Sequence, residues 1–85
     1  MDAPKNVDLD TIRRCQSGEL GAFDSLYQAY GDSVWRLCHR MVHNREDAED
    51  LAQEAWLTVW RRIGNFRCES AFTTWLYRVA SNVCL

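Results

Sequence analysis

The stretch from Asn44 to Ile63, NREDAEDLAQEAWLTVWRRI, decides the fold of this chain. Its small and branched apolar residues recur at steps of three and four, which is the spacing of one face of an α-helix. Asn44 is a favourable N-cap, and Asp47 stands three residues later, as in a capping box. The acidic residues of the first turns suit the positive end of the helix dipole. We therefore predict a helix here, with this inward face: Ala48, Leu51, Ala52, Ala55, Val59 and Ile63.

Two further helices are predicted upstream of this segment. Asp8 can cap a short helix that runs to about Ser17, and Gly18 suits the position just after its end. A longer helix starts near Gly21 and ends where the segment that begins at His43 breaks its periodicity. Its predicted apolar stripe consists of Phe23, Leu26, Tyr27, Tyr30, Val34, Leu37, Cys38 and Met41.

Downstream, Gly64 and Asn65 end the third helix, and Ser70 caps a fourth. The stripe of this last helix is Phe72, Trp75, Leu76, Val79, Ala80 and Val83. No strand-like alternation persists, so the predicted fold is all-α, a compact bundle of four helices. We expect one domain, with residues 1–17 as a tail and short first helix, and residues 18–85 as the main unit. The periodicity reaches Leu85 without a stop signal, so we also expect the sequence to be cut within or near the last helix.

Composition excludes several classes of protein. A chain of 85 residues holds one domain and has little room for a deep substrate cavity. The net charge is −2, yet residues 55–85 carry four arginines against one glutamate, so an acidic part is followed by a basic one.

The N-terminus lacks the apolar core of a signal peptide, and no run reaches membrane-spanning length, so we expect a cytoplasmic protein without membrane insertion. The four cysteines are spaced too widely for a metal knuckle and are expected to be thiols: Cys15, Cys38, Cys68 and Cys84.

No catalytic or metal site is predicted. His39 and His43 are spaced i, i+4, but no third ligand is evident, and a helix surface is the better interpretation. No Ser-His-Asp or Cys-His arrangement can be assembled from the spacing. We therefore expect neither enzyme activity nor a cofactor.

The third helix carries one candidate interaction surface. Asp50, Gln53 and Glu54 share one side with Leu57, and a pair of tryptophans stands four residues apart beside them. One interpretation is that solvated acids lie outside and tryptophans lie in the core. For Trp56 and Trp60 together, however, the position beside the small-residue stripe predicts partial exposure, which is typical of an interface.

A second candidate surface follows it. Arginines interleaved with aromatic rings suit single-stranded nucleic acid, since the cations hold phosphates and the rings receive unstacked bases. Phe72 and Trp75 could instead be core residues, because both lie on the apolar stripe. The arginines are Arg61, Arg62, Arg67 and Arg78, and the rings are Phe66, Phe72, Trp75 and Tyr77.

Residues 47–57, DAEDLAQEAWL, and residues 65–82, NFRCESAFTTWLYRVASN, resemble region 2 of bacterial sigma factors. The best match is the extracytoplasmic-function group, group 4, and the segment AFDSLY at 22–27 followed by Tyr30 also fits it. The resemblance covers roughly Gly18 to Leu85, with both motifs in the expected order and spacing. Cys68 stands where this family often has glycine. The family also continues past Asn82 into a basic helix end, a linker and a domain that reads the −35 element, so we expect a chain truncated before them.

The resemblance implies two binding surfaces and a role in transcription initiation. The third helix would dock on the β′ clamp helices of core RNA polymerase through Asp50, Gln53, Glu54, Trp56 and Trp60. The following loop and helix would recognise and melt the promoter −10 element by capturing a flipped base of the non-template strand. The family also implies an anti-sigma factor as a partner. The implied DNA-binding residues are Arg61, Arg62, Asn65, Phe66, Arg67, Cys68, Glu69, Ser70, Phe72, Thr74, Trp75, Arg78, Ser81 and Asn82.

The alternative is a helical adaptor that binds polymerase or a regulator without reading DNA. Such an adaptor would not need the arginine-aromatic loop and fourth helix. Binding to a single-stranded −10-like oligonucleotide distinguishes the two.

Overall fold

The chain folds into helices joined by short connections. A computed structural model describes residues 9–69 and 71–85. The helices are α1 (Leu9–Gln16), α2 (Leu20–Val42), α3 (Arg45–Arg62) and α4 (Phe72–Cys84), and a 3-10 turn (Ile63–Asn65) follows α3. The predicted all-α bundle of four helices is confirmed. The predicted caps at Asp8 and Ser70 lie outside the described residues, and the N-cap position of α4 is taken by Ala71.

The helix boundaries follow from local chemistry. Asn44 is extended, and its side-chain Oδ1 accepts a hydrogen bond from the Asp47 backbone N–H at 3.0 Å. This bond satisfies one of the amides that the first turn of a helix leaves unpaired, as predicted. His43 ends α2 in a left-handed conformation (φ 58°), and its N–H bonds to the His39 carbonyl at 2.8 Å. Gly18, just after α1, has a φ of 92°, which glycine adopts without steric cost.

The core forms around α2, which packs against the other three helices. Leu26, Val34 and Cys38 of α2 are wholly buried, as are Val59 of α3 and Leu76 of α4. Burying a leucine side chain of this kind contributes about 1.5–3 kcal/mol. Ile12 and Cys15 of α1 belong to the same core, so the first helix is packed rather than peripheral.

The apolar stripe of α2 is wider than the surface its neighbours cover. Tyr27 is 53% exposed and Met41 is 37% exposed, although the spacing places both on the predicted stripe. Tyr27 therefore faces an opening between α2 and α3 instead of the core. No helix within the described ranges is both long and apolar enough to cross a membrane.

Candidate functional site

An open groove of about 840 Å³ runs between α2 and α3. It is lined mainly by aromatic and apolar side chains, with acidic and amide groups among them, and is called the aromatic groove below. The α2 side consists of Leu20, Phe23, Asp24, Tyr27, Gly31 and Trp35, and the α3 side of Glu49, Ala52, Gln53, Trp56, Leu57 and Trp60. Of the five residues expected to contact polymerase, three lie in this groove: Gln53, Trp56 and Trp60.

Edge-to-face ring contacts hold the floor of the aromatic groove. The centroid of Phe23 lies 5.8 Å from Trp56 and 5.0 Å from Trp60, with interplanar angles of 83° and 70°. Tyr27 meets Trp56 at 5.4 Å and 68°. Aromatic pairs favour such geometry, in which a ring edge points at a ring face. The groove is thus a preformed apolar surface, with Tyr27, Leu57 and Leu20 exposed around it.

Trp56 is more buried than the sequence analysis expected. Partial exposure was predicted for both tryptophans, yet Trp56 is only 6% exposed, while Trp60 is half-buried. The reason is that Phe23 and Tyr27 of α2 pack over the Trp56 ring. The indole Nε1 of Trp56 is buried without a hydrogen-bond partner within the described residues. An unpaired buried donor costs about 1–3 kcal/mol of stability.

An acidic face borders the groove on α3. Asp50, Gln53 and Glu54 are all exposed. The Oε2 of Glu54 lies 3.5 Å from Nη2 of Arg61, in an ion pair whose side chains are both more than half exposed. Pairs of this kind contribute little to stability because water screens them. Arg61, predicted to bind DNA, is thereby joined to the acidic face of α3.

The loop between the 3-10 turn and α4 presents polar side chains to solvent. Asn65, Arg67, Cys68 and Glu69 are exposed, and Ser70 lies outside the described residues. Cys68 has a φ of 62°, in the left-handed region that favours glycine. A glycine at position 68 would adopt this conformation without steric cost, whereas a cysteine adopts it rarely.

Two aromatic residues assigned to the DNA surface lie in the core. Phe66 is 7% exposed and Phe72 is 8% exposed. Their ring centroids are 5.5 Å apart, and both rings also contact Trp75, at 5.6 and 5.7 Å. They are buried because Phe72 lies on the apolar stripe of α4 and Phe66 packs against it and against Trp75. In this position the two rings support the loop rather than offer a free face to a base.

The exposed side of α4 carries a row of polar residues at steps of four. Thr74, Arg78 and Asn82 are all exposed and share one face of the helix. Trp75 and Ser81 are half-buried beside this row. The exposed loop residues and this row are called the loop–α4 surface below.

The cations of this region are available to a ligand. Within the described residues, Arg62, Arg67 and Arg78 are exposed and form no ion pair, in contrast to Arg61. A guanidinium that is not already paired can bind a phosphate without breaking a contact. The unpaired positive charge therefore lies at the end of α3, in the loop and on α4.

Gln16 positions the loop and was missed by the sequence analysis. Its Nε2 donates hydrogen bonds to the carbonyl oxygens of Ile63 and Phe66, each at 2.9 Å. One side chain at the end of α1 thus fixes both ends of the turn that leads into the loop. The contacts span 47 and 50 residues along the chain, so no local pattern indicates them.

The two histidines do not combine into a metal site. His39 stacks on Trp35 with a centroid distance of 4.8 Å, while His43 ends α2. Among the residues that the structure describes, no group of three or more histidine, cysteine or acidic side chains could hold a metal ion.

Comparison with known proteins identifies close relatives of this chain. The family model described as Sigma-70 region 2 matches residues 26–85. RNA polymerase sigma-H factor of Pseudomonas aeruginosa is 45% identical over 75 residues, which are 88% of this chain and 39% of that protein. The extracytoplasmic-function sigma factor SigW of Bacillus subtilis is 38% identical over 74 residues, 87% of this chain and 40% of that protein.

A solved structure also matches. It is an NMR structure of an engineered region 2 of sigmaE in complex with GTAAAA, with a TM-score of 0.83 and 32% sequence identity. The match covers 98% of this chain and 86% of that one. The similarity thus includes α1 as well as the segment that matches the family.

Proposed function

Because this chain belongs to the sigma-70 region 2 family and resembles its extracytoplasmic-function members, we propose that it acts in transcription initiation, binding core RNA polymerase and promoter −10 DNA. One observation carries the proposal: the domain has two exposed surfaces of different chemistry. The aromatic groove and the acidic face of α3 form one, and the cationic loop–α4 surface forms the other. Such a division suits a protein that bridges a polymerase and a DNA strand.

The polymerase-binding surface is proposed to combine the aromatic groove with Asp50, Gln53 and Glu54. Aromatic residues in a groove are typical of the centre of an interface, and exposed charges are typical of its rim. The proposed partner is the pair of β′ clamp helices, which would place apolar side chains against Trp60, Tyr27 and Leu57. Trp56 would support this surface from beneath, because Phe23 and Tyr27 cover its ring. Basic side chains of the partner would then meet the acidic rim.

The DNA-binding surface is proposed to be the loop–α4 surface. Arg62, Arg67 and Arg78 would hold phosphates, which gives affinity without sequence information. Asn65 and Glu69 supply donors and acceptors that can read the edge of an unstacked base. The related engineered region 2 of sigmaE was solved in complex with GTAAAA, which supports a nucleic-acid ligand here.

The other residues predicted to bind DNA are proposed to differ in how directly they contact the strand. Trp75 is half-buried against Phe66 and Phe72, so we propose that it borders the base pocket while the other two rings support it. Thr74, Ser81 and Asn82 would line the strand along α4, and Cys68 and Ser70 complete the proposed loop. Arg61 is proposed to contribute long-range attraction, because Glu54 already pairs with it.

No catalytic step is part of the proposal, since binding and base capture alone account for strand opening. We also propose a cytoplasmic location, where polymerase and promoter are found, and an anti-sigma factor as a further partner. The alternative function, an adaptor that binds polymerase without reading DNA, is disfavoured by the unpaired arginines of the loop–α4 surface.

Selection of bound strands from a single-stranded pool, randomised over a −10-like segment, tests the DNA function. We expect enrichment of one short motif at low salt, because the polar loop discriminates base edges while the arginines do not. A pool that remains random after repeated selection, although the chain stays folded, would favour the adaptor. An oligonucleotide of the sequence GTAAAA, present in the related structure, serves as the starting reference.

The polymerase surface is tested by replacing Gln53 and Glu54 together with alanine. We expect binding to a β′ clamp-helix fragment to weaken by about 10-fold or more, the loss typical of residues that contribute strongly to an interface. Helicity should stay the same, because alanine is a strong helix former. Isothermal calorimetry and circular dichroism measure the two effects.

A matched control replaces the same residue types elsewhere, at Gln28 and Glu46, both exposed and outside the aromatic groove. This control should bind the clamp-helix fragment like the parent chain. Equal binding by the Gln53–Glu54 variant and the parent would remove these two residues from the interface.

A further inference from the structure

Two thiols meet where the end of α4 packs against α2. The Sγ atoms of Cys38 and Cys84 are 3.2 Å apart and share a hydrogen bond, although the residues are 46 positions apart in the chain. Cys38 is wholly buried in the core, whereas Cys84 is half-buried in the last turn of α4. No function proposed above uses either residue.

We propose that Cys38 and Cys84 form a reversible disulfide when the protein meets a hydroperoxide or a similar two-electron oxidant. The bond would tie the last turn of α4 to the C-terminal part of α2. A disulfide has a sulfur–sulfur distance of about 2.05 Å, so the two atoms need to approach by only about 1.1 Å. Both helices already hold the two side chains toward each other, and the reaction therefore needs no refolding.

The chemistry balances in two steps. Cys84 gives up its proton to solvent, and its thiolate attacks the terminal oxygen of the hydroperoxide. The O–O bond breaks, Cys84 becomes a sulfenic acid, and the departing oxide takes up a proton from solvent and leaves as water or an alcohol. The Cys38 sulfur then attacks the sulfenic sulfur, the S–O bond breaks, and the S–S bond forms. The released hydroxyl leaves as water with the proton of the Cys38 thiol. The two thiols lose two electrons, and the oxidant gains them.

Exposure sets the order of these steps. Cys84 is reached first because Cys38 is sealed within the core. Burial, together with the hydrogen bond to Cys84, raises the pKa of Cys38 to about 12, so this thiol stays protonated at neutral pH. A protonated, buried thiol is a poor target for an external oxidant. Cys38 thus acts as the resolving thiol and not as the first point of attack.

The other two cysteines, Cys15 and Cys68, are not placed to form this disulfide. Cys15 is buried on the core side of α1, and Cys68 is exposed in the loop. Among the residues that the structure describes, Cys38 and Cys84 are the only pair of thiols in sulfur–sulfur contact. The exposed Cys68 is the one that would form bonds between two chains.

Peroxide treatment of the reduced 85-residue chain at mildly alkaline pH tests the proposal. Intact mass spectrometry should show the loss of two hydrogens from the monomer, reversed by dithiothreitol. After trypsin, the expected cross-linked pair is the peptide of residues 37–40, LCHR, joined to that of residues 79–85, VASNVCL. Thermal unfolding should show a Tm raised by roughly 10 °C, because the bond closes a long loop.

Two single variants distinguish the Cys38–Cys84 disulfide from oxidation at another cysteine. After peroxide treatment, the Cys68→Ser chain should still lose two hydrogens and give the same cross-linked peptide pair. The Cys84→Ser chain should show no loss of two hydrogens and no such peptide pair. Cys84→Ser is preferred to a Cys38 variant because the wholly buried position could impair folding. The proposal is overturned if peroxide only adds oxygen to Cys84, if the bond joins other cysteines or two chains, or if the oxidised monomer melts below the reduced one.

Discussion

Replacing both Arg67 and Arg78 with alanine is expected to weaken binding of a single-stranded −10 oligonucleotide by about 60-fold at roughly 50 mM salt. The estimate treats each arginine as one phosphate contact whose loss lowers the slope of log K against log salt by about 0.7 for a single strand. Both side chains are exposed and free of ion pairs in the described residues, so no compensating contact is released. Fluorescence anisotropy over a salt series measures the affinity and the slope together.

The matched control for this variant is Arg45→Ala. Arg45 is exposed at the opposite end of α3 and pairs weakly with Glu49 at 3.6 Å. This substitution removes one positive charge without touching the loop–α4 surface, so the salt slope should remain that of the parent chain. In the double variant, the slope of log K against log salt should be about 1.4 smaller in magnitude than in the parent chain. A double variant with the parent slope would show that the phosphates bind another surface.

Replacing Trp56 with alanine is expected to lower the free energy of unfolding by about 3–5 kcal/mol. The ring fills the floor of the aromatic groove against Phe23 and Tyr27, and its loss would leave a cavity that these rings cannot close. A domain of this size is expected to have a total stability of only about 4–13 kcal/mol, so a large part would be lost. Urea unfolding followed by circular dichroism provides the measurement.

Trp56→Phe distinguishes packing from hydrogen bonding at the same position. Phenylalanine retains an aromatic ring for Phe23 and Tyr27 and removes the unpaired indole N–H, so the loss of stability should be much smaller. Trp35→Ala, at a half-buried tryptophan stacked on His39, controls for the loss of a less buried ring and should cost less than Trp56→Ala. A Trp56→Ala chain as stable as the Trp35→Ala chain would contradict the role of Trp56 in the groove floor.

Helix content and boundaries were predictable because their causes are local. The N-cap at Asn44 and the glycine after α1 act within a few residues of the elements they end, and the structure shows both. The inward face of α3 follows from helical spacing in the same way. Each of these features requires only the neighbouring sequence.

Burial at the two surfaces was harder to predict because it depends on which helix lies opposite. Spacing along α3 places Trp56 beside the small-residue stripe, but the degree of its burial is set by Phe23 and Tyr27 on another helix. Phe66 precedes α4 and has no periodic partner, so only the assembled ring cluster shows that it is buried. The chemistry of the two surfaces could be read from residue types, whereas the side chains that support them could not.

The double hydrogen bond of Gln16 has a consequence for transplanting this domain. The segment that defines the family begins at residue 26, after α1 has ended. A chimera assembled on that boundary would carry the loop proposed to bind DNA but would lack Gln16, whose hydrogen bonds hold the turn before that loop. A transplanted unit that keeps the loop in its present conformation therefore includes α1 as well as residues 26–85.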